Sequence, residues 1–522
     1  MPVVGRRTLL AAGASLVAAL RLAGTGALAA SAGPRLGAPA PFDFDRLKRT
    51  AKALAGGAHV PAVSAAPEAL QAIDFDMVQK IRFRRARALW ADDGTPFPVA
   101  FFHLNRYADL PVNIHVVSGG TAREVLYAPE YFDYGATGLG PRLPGDLGFS
   151  GFRVLNRRPG ETDWLAFQGA SYFRSSGALD QYGASARGIA VDTGLDKPEE
   201  FPRFSAFWLE GAPADADRVT IYALLEGPSL TGAYRIVAAK QEGVTTEVHA
   251  DLFPRKAIRR LGIAPLTSMF WYGENNRHIA KDWRPEIHDS DGLALWTGAG
   301  ARIWRPLINP PAVQTSVFRD RSPRGFGLMQ RDRVFDHYQD DSVFYDRRPS
   351  LWVEPLEDWG PGAVHLLEIP TDDEIYDNIA AYWQSDREVV GGESLSLGYR
   401  LHWVAAHPRP PGGVARVVAT RIGHGGVPGA KRPPDHKKFV VDFEGGPLDD
   451  LERRYDIEPV VTLSRGRTEN PYVVQVVGTR SWRAVFDIDI PGKEPVEMRC
   501  FLRLGDKVLT ETWLYQYHPF AF

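Results

Sequence analysis

Cysteine is almost absent from the chain, because Cys500 is the single one among 522 residues. A disulfide framework within the chain is therefore excluded. Cys500 lies in the segment EMRCFLRL, whose alternation is typical of a half-buried strand. We therefore interpret it as a core residue, with a catalytic thiol as the alternative.

The sequence also lacks an excess of charge of either sign, since its formal net charge is −2. Lys and Arg are spread along the chain without a basic stripe, which excludes nucleic acid as the expected partner. We expect a neutral or weakly charged ligand. A G-x-S-x-G nucleophile elbow, a P-loop and a dinucleotide fingerprint are all missing. The sequence therefore predicts neither a Ser-His-Asp hydrolase nor a nucleotide enzyme, and no cofactor.

Long hydrophobic runs are missing as well, because no segment reaches the roughly 18 apolar residues that span a bilayer. The N-terminal apolar stretch is short and rich in Ala. It follows Arg6 and Arg7 and leads to Ala27-Leu28-Ala29, an A-x-A cleavage pattern. Residues 1–29 are predicted to be a twin-arginine-type signal peptide of a periplasmic protein. Residues 30–41, rich in Ala, Pro and Gly, are expected to be flexible.

Aromatic residues, in contrast, are plentiful: they make up 11% of the chain and include 13 Trp. Between Phe270 and Gly292, three adjacent aromatic residues are followed by carboxylates, amides, Arg and His, and residues 352–383 repeat this mixture. Rings beside converging polar groups suit a sugar, so we predict a carbohydrate cleft. For each Trp, the alternative is packing in a β-rich core. The candidate substrate-binding residues are Trp271, Tyr272, Asn275, His288, Trp304, Tyr345, Arg347 and Trp352.

The hydrophobic periodicity predicts a mainly β protein with little helix beyond residue 90. Helical spacing is present at 44–54 and 67–81, and strand patterns at 112–116, 233–239, 245–252 and 395–404. Gln241-Glu242-Gly243 separates two of these strands and predicts a hairpin. Short strands at close spacing favour a large antiparallel sandwich over residues 42–406.

The composition changes at residues 407–413, HPRPPGG, which is typical of a linker. Seven strand patterns then follow within residues 414–522. This number and spacing predict a small immunoglobulin-like sandwich without the usual Cys pair.

Several long motifs in this order resemble one family. WYGENN, HDSDGL, FYDRRPSLWVEP, DWGPGAVHLLEIPT and DNIAAYW are similar to the periplasmic glucan biosynthesis protein G/D family (OpgG/OpgD, MdoG/MdoD). The resemblance covers nearly the whole mature chain, and the twin-arginine start is more like the D branch. It implies a mutarotase-like β-sandwich with a long cleft, followed by an immunoglobulin-like domain.

The same resemblance implies an inverting endo-β-1,2-glucanase active in the synthesis of osmoregulated periplasmic glucans. The general acid would be Asp377, in the DNI motif, and the base Asp289, in HDSDG. Glu374, three residues before the acid, matches a further family position. Glycoside hydrolysis needs such a protonated and an ionised carboxyl, and we expect like-charge repulsion from Glu374 to raise the pKa of Asp377.

Other interpretations of these acids remain at this point. Thr371-x-x-Glu374 is also a capping box, which would make Asp377 a helical surface residue. The pairs Asp340/Asp341 and Asp372/Asp373 are alternative acids. HDSDG resembles part of a calcium loop but lacks the remaining ligands, so no metal is predicted.

We therefore expect an endo-acting β-1,2-glucan hydrolase that shapes glucan backbones. A transglycosylase that closes rings and a non-catalytic glucan-binding factor are the rivals. The expected partner is the glucan itself, with a membrane glucan synthase as a second candidate. A homodimer is one option for an oligomeric state that the sequence leaves open.

Overall fold

The structure, a computed structural model, describes residues 33–91, 95–156, 162–211, 216–427, 429–433 and 436–520. The predicted signal peptide lies outside these residues. The helices are α1 (Phe44–Ala55), α2 (Pro67–Gln71), α3 (Phe75–Val78) and α4 (Phe335–Tyr338). Helical spacing thus predicted α1, and also the region of α2 and α3. Within the described ranges, every helix is too short or too polar to cross a membrane.

Strands dominate the rest of the chain. The first group is β1 (Leu36–Pro41), β2 (Arg82–Phe83), β3 (Val99–Phe102), β4 (Asn113–Ser118), β5 (Thr121–Val125), β6 (Phe132–Asp133), β7 (Gly151–Leu155), β8 (Asp163–Gln168), β9 (Tyr172–Ser175), β10 (Ser185–Arg187), β11 (Ala190–Val191), β12 (Arg203–Glu210) and β13 (Arg218–Glu226). The second group is β14 (Leu230–Lys240), β15 (Val244–Pro254), β16 (Leu261–Ser268), β17 (Phe270–Tyr272), β18 (Ile287–His288), β19 (Gly292–Trp296), β20 (Arg302–Pro306), β21 (Gln314–Arg321), β22 (Gly325–Met329), β23 (Ser350–Pro355), β24 (Pro361–Glu368), β25 (Ile379–Ser385) and β26 (Leu395–Val404). The C-terminal group is β27 (Arg416–His424), β28 (His436–Glu444), β29 (Glu458–Leu463), β30 (Arg467–Gln475), β31 (Trp482–Asp489), β32 (Val496–Leu504), β33 (Lys507–Val508) and β34 (Thr512–Tyr517).

Two large sheets form the main sandwich. The sixteen-stranded sheet has the order β1-β5-β4-β12-β13-β14-β15-β26-β23-β22-β19-β20-β34-β32-β29, with β33 beside β32. The ten-stranded sheet has the order β21-β24-β25-β16-β10-β9-β8-β7-β3, with β11 beside β16. The predicted hairpin is confirmed, since β14 and β15 pair along their whole length and the Gln241 N–H donates to the Gly243 carbonyl at 2.8 Å.

Aromatic side chains fill the space between the sheets. Phe152 and Phe167, on the ten-stranded sheet, contact Phe207 of β12 with ring centroids 5.0 and 5.6 Å apart. Phe173 of β9 meets Trp403 of β26 at 5.8 Å. Because successive side chains alternate between the faces of a strand, the neighbours of these core rings on β8 and β9 lie on the outer face. The predicted mainly β sandwich is confirmed.

The N-terminal segment differs from its prediction. Leu36–Pro41 forms β1, which pairs antiparallel with β5 at the edge of the sixteen-stranded sheet. The Pro residues that suggested flexibility are tolerated there, because an edge strand needs only part of its N–H groups for pairing.

The seven strands predicted in the C-terminal region are all present. β27, β28, β31 and β30 form a separate four-stranded sheet, whereas β34, β32 and β29 extend the sixteen-stranded sheet through the parallel pairing of β34 with β20. Phe439 and Phe486 of the small sheet pack against Trp513 of β34. Cys500 is buried in the same core, and burial raises its pKa to about 12, as expected for a packing residue.

The first three residues of the predicted linker, 407–409, contact the sixteen-stranded sheet. The His407 ring lies 4.3 Å from that of Trp352, and Arg409 donates to Glu354 at 2.6 Å. The Arg409 carbonyl in turn accepts a hydrogen bond from Arg302. These contacts attach residues 407–409 to the large sheet.

Candidate active site

Asp289 lies directly after β18, where its backbone N–H donates to the Met269 carbonyl at 2.8 Å. Its side chain is buried and accepts a hydrogen bond from the Arg348 guanidinium. Burial raises the pKa of Asp289, and Arg348 acts against that rise. Because a guanidinium stays charged, the ion pair favours the carboxylate form of Asp289.

Asp377 lies in the loop that leads into β25, and its neighbour Asn378 fixes the end of that loop. The Asn378 amide accepts from the Phe270 N–H at 2.8 Å and donates to the carbonyls of Phe270 and Ile369 at 3.0 and 2.8 Å. Asn378 is buried, whereas Asp377 is exposed. One residue of the Asp-Asn pair thus holds the backbone while the other presents its carboxyl.

The Asp377 carboxyl faces a cavity of about 310 Å³ on the outer face of the ten-stranded sheet, beside Gln168, Tyr172 and Arg174. The cavity is concave, so protein surrounds the carboxyl on most sides although water reaches it. The surrounding protein removes part of the solvation of the carboxylate form, which raises the pKa of Asp377 to about 6. The Asp289 charge adds to the rise, while Arg174 and Arg348 oppose it.

The loop before β25 is not a helix, so the capping-box interpretation is wrong. Thr371 Oγ1 instead donates to the Asp373 carbonyl at 2.8 Å, and the Asp373 carboxylate accepts from the Ile375 N–H at 3.1 Å. These bonds form turns within residues 371–375, and β25 begins four residues later at Ile379.

Glu374 is clamped by a guanidinium. Arg284 donates to both of its oxygens, at 2.9 and 3.0 Å, and the Tyr345 hydroxyl donates to one of them. The expected repulsion between Glu374 and Asp377 is a wrong interpretation, because the carboxylate that raises the pKa of Asp377 is Asp289. Glu374 is ion-paired with Arg284 and fixes the loop instead.

The carboxyls that the sequence offered as alternatives to Asp377 are less suited to act as the general acid. Asp340 accepts hydrogen bonds from Arg284, Ser342 and Val343. Although burial opposes the change, these bonds lower the pKa of Asp340 to about 2, which leaves no proton to donate near neutral pH. Asp341 and Asp372 are exposed surface residues.

His288 is a buried structural residue rather than a sugar ligand. Its ring nitrogens contact Gln330 Oε1 at 3.0 Å and Glu286 Oε2 at 3.1 Å. Burial opposes protonation, but the hydrogen bond and charge of Glu286 raise the pKa of His288. This network fixes the strand that presents Asp289.

Most of the predicted sugar platforms are also part of the core. The rings of Tyr272, Trp304 and Trp352 are buried, and the Asn275 amide donates to the Leu307 carbonyl. Tyr345 is buried, with its hydroxyl on Glu374. These predictions fail because aromatic rings suit a β core as well as a sugar. Trp271, which is half-buried, and the exposed side of Arg347 remain accessible.

Sequence reasoning missed Arg174 and Tyr172, which lie beside Asp377 in the cavity. They belong to β9, a four-residue strand without any distinctive motif, so no local signal marks them. Arg284 was visible inside the polar segment, but its role depends on Glu374, which lies 90 residues away.

Among the residues that the structure describes, two groups offer ligand atoms to a cation: Glu286, Asp332 and His337, and His436, Glu469 and Asp489. In the first, His337 is already paired with Asp332 at 2.5 Å. In the second, His436 lies 3.5 and 3.6 Å from the two carboxylates. In each group the His side chain is thus already in contact with a carboxylate, and neither group contains Asp289 or Asp377.

Comparison with known proteins gives extensive matches. The family described as "Periplasmic glucan biosynthesis protein, MdoG" matches residues 42–517. Glucans biosynthesis protein D 2 of Ralstonia nicotianae is 52% identical over 99% of this chain and 98% of its own length.

Glucans biosynthesis protein D of Stenotrophomonas maltophilia is 51% identical over 93% of this chain and 91% of its own. The protein of that name from Xanthomonas campestris pv. campestris is 49% identical, with 93% and 92% covered. Among solved structures, a polysaccharide lyase aligns with a TM-score of 0.22 and 12% identity over 70% of this chain and 44% of its own, which is too distant to inform function.

Proposed function

The chain belongs to the periplasmic glucan biosynthesis protein family, on its D branch, and from this premise we propose that it hydrolyses β-1,2-glucan internally with inversion. The observation that carries the proposal is the contrast between two carboxyls. Asp377 faces an open cavity with its pKa raised to about 6, and Asp289 is ion-paired with Arg348. Burial raises the pKa of Asp289 as well, but the Arg348 guanidinium opposes that rise and favours its carboxylate form. One carboxyl that holds a proton and one that is ionised are what glycoside hydrolysis requires.

In the proposed reaction Asp377 gives its proton to the glycosidic oxygen as the bond from that oxygen to C1 breaks. Asp289 takes a proton from water, whose oxygen forms a bond to C1 from the opposite face. Asp377 then carries the charge that Asp289 has lost, and exchange with solvent restores both groups. Arg348 stabilises the charge on Asp289 before the proton arrives.

The walls of the cavity fit a neutral, hydroxyl-rich chain. Gln168 offers an amide and Tyr172 a ring, while Arg174 supplies donors beside Asp377. The class of reaction that would supply this substrate is polymerisation of glucose, for which a membrane glucan synthase is the candidate partner.

The test is incubation of the purified mature protein with linear β-1,2-glucan, followed by mass analysis and assay of reducing ends. Shorter linear chains with new reducing ends are expected. Cyclic products, lighter by one water, would overturn hydrolysis in favour of transglycosylation. Unchanged but bound glucan would overturn catalysis in favour of a binding factor.

The roles of the two acids are tested by Asp377→Asn and Asp289→Asn. Each should lose about 10²–10⁴-fold in turnover while still binding glucan. Asp372→Asn changes an exposed carboxyl in the same loop and is the matched control, for which normal turnover is expected. Near-normal cleavage by Asp377→Asn would contradict the acid assignment.

Export by the twin-arginine route is part of the proposal. Replacing Arg6 and Arg7 by Lys should leave the precursor in the cytoplasm, measured by fractionation of cells. Normal periplasmic accumulation of the double variant would exclude that route without affecting the catalytic proposal.

A further inference from the structure

Large apolar side chains are exposed on both sides of the Arg284–Glu374 ion pair. Trp283, which precedes Arg284, is 69% exposed. Ile375 and Tyr376, which follow Glu374, are 72% and 58% exposed. We call these three side chains the apolar rim. Tyr376 directly precedes Asp377, so the rim adjoins the candidate acid.

The side chains of the apolar rim are exposed, but hydrogen bonds restrain the backbone that carries Ile375 and Tyr376. Arg284 and Tyr345 fix Glu374 on one side of Ile375 and Tyr376, and Asn378 fixes the backbone on the other. The Ile375 N–H also donates to Asp373. The backbone of this loop is restrained before binding, so the cost of ordering it when a ligand contacts Tyr376 is reduced.

Three such side chains are exposed on two segments, around Arg284 and after Glu374, which the Arg284–Glu374 ion pair joins, and this indicates a contact surface. The position of the apolar rim next to Asp377 indicates which ligand contacts it. Asp377 protonates an oxygen that leaves with one part of the cut chain, so surfaces next to Asp377 face the sugars on either side of that bond. The apolar faces of sugar rings fit aromatic rings, and the cavity beside the rim already supplies polar partners.

We propose that the apolar rim is a glucan-binding subsite in which Trp283 and Tyr376 stack on sugar rings next to the cleaved bond. The proposal rests on the proposed function. It assigns binding to side chains that the polar cavity does not include, and it accounts for their exposure.

The experiment measures binding of linear β-1,2-glucan by titration calorimetry in the full-length mature protein carrying Asp377→Asn, which prevents turnover. Trp283→Ala and Tyr376→Ala are each expected to weaken affinity about 5- to 100-fold, as for the loss of one stacked ring. Tyr376→Phe keeps the ring and should retain most of the affinity. Tyr455→Ala, at a residue that is 80% exposed in the C-terminal region, is the matched control and should change nothing.

The outcomes separate the two proposals. If the Asp377→Asn protein binds no glucan at all, and the wild type cleaves none, the proposed function fails. If glucan binds but both rim variants bind it as tightly as the parent protein, the subsite is excluded.

Size-exclusion chromatography completes the test, because a rim variant that loses self-association and keeps glucan affinity would show that a second copy of the chain covers this surface. Because the rim is exposed, unchanged melting temperatures are expected for every variant.

Discussion

Arg284 reaches Glu374 with two parallel hydrogen bonds, of 2.9 and 3.0 Å, and so fixes the loop that ends at Asp377. Lys cannot form such a paired contact, because its ammonium is a single point charge. We expect Arg284→Lys to lower turnover about 10- to 100-fold through misplacement of Asp377.

The pH profile identifies how Glu374 acts. If it only fixes the loop, Glu374→Gln lowers turnover but leaves the upper pH limit of activity in place. A shift of that limit toward lower pH would show that the Glu374 charge tunes Asp377 directly. The measurement is kcat/KM against pH for both variants, with Asp341→Asn, an exposed carboxyl, as the control.

The charge on Asp289 helps to raise the pKa of Asp377 to about 6. Activity that needs protonated Asp377 should therefore fall as the pH rises through about 6. In Asp289→Asn the repulsion is gone, so the pKa of Asp377 should drop below that value. Carboxyl ¹³C titration by NMR measures the drop, and an unchanged pKa would mean that Asp289 does not face Asp377.

The buried Trp352 and the half-buried Trp271 should respond differently to truncation. Trp352→Ala removes a core ring and should lower the free energy of unfolding by about 3–5 kcal/mol. Trp271→Ala should cost less stability and weaken glucan binding by about 1–3 kcal/mol if a sugar stacks there. Denaturation and binding are measured on the same samples, and the reverse pattern would assign Trp352 to the ligand.

Much of the fold follows from local pattern, as the seven strands of the C-terminal region demonstrate. Each alternates apolar and polar residues between clear turns, and each is present. The site is harder to predict because its partners are distant in sequence. Arg348 meets Asp289 from 59 residues away, and Arg284 meets Glu374 from 90. Periodicity also cannot tell a buried Trp352 from an accessible Trp271, since both lie in strands.

Glu354 joins the start of the predicted linker to the large sheet. It contacts His402 Nε2 at 3.0 Å and accepts from Arg409 at 2.6 Å. The pKa of Glu354 is lowered to about 2, and the hydrogen bond to His402 is the largest cause. Burial opposes this lowering, whereas the hydrogen bond to Arg409 adds to it. A carboxyl with a lowered pKa stabilises the folded state above its ordinary pKa of 4.5, and this stabilisation is lost as the pH falls toward 2.

We therefore expect Glu354→Gln to lower the free energy of unfolding at pH 7 by about 1.5–3 kcal/mol, the range for hydrogen bonds to a charged group. The difference from wild type should shrink between pH 4.5 and 2, because Glu354 itself becomes protonated there. Limited proteolysis should also cut the variant faster within residues 407–413, since Arg409 loses the negative charge of its partner. Glu357→Gln, three residues further along the chain, where the carboxylate accepts from the Gly398 N–H, is the control. A stability difference that persists unchanged at pH 2 would show that the substitution acts through packing rather than through the charge of Glu354.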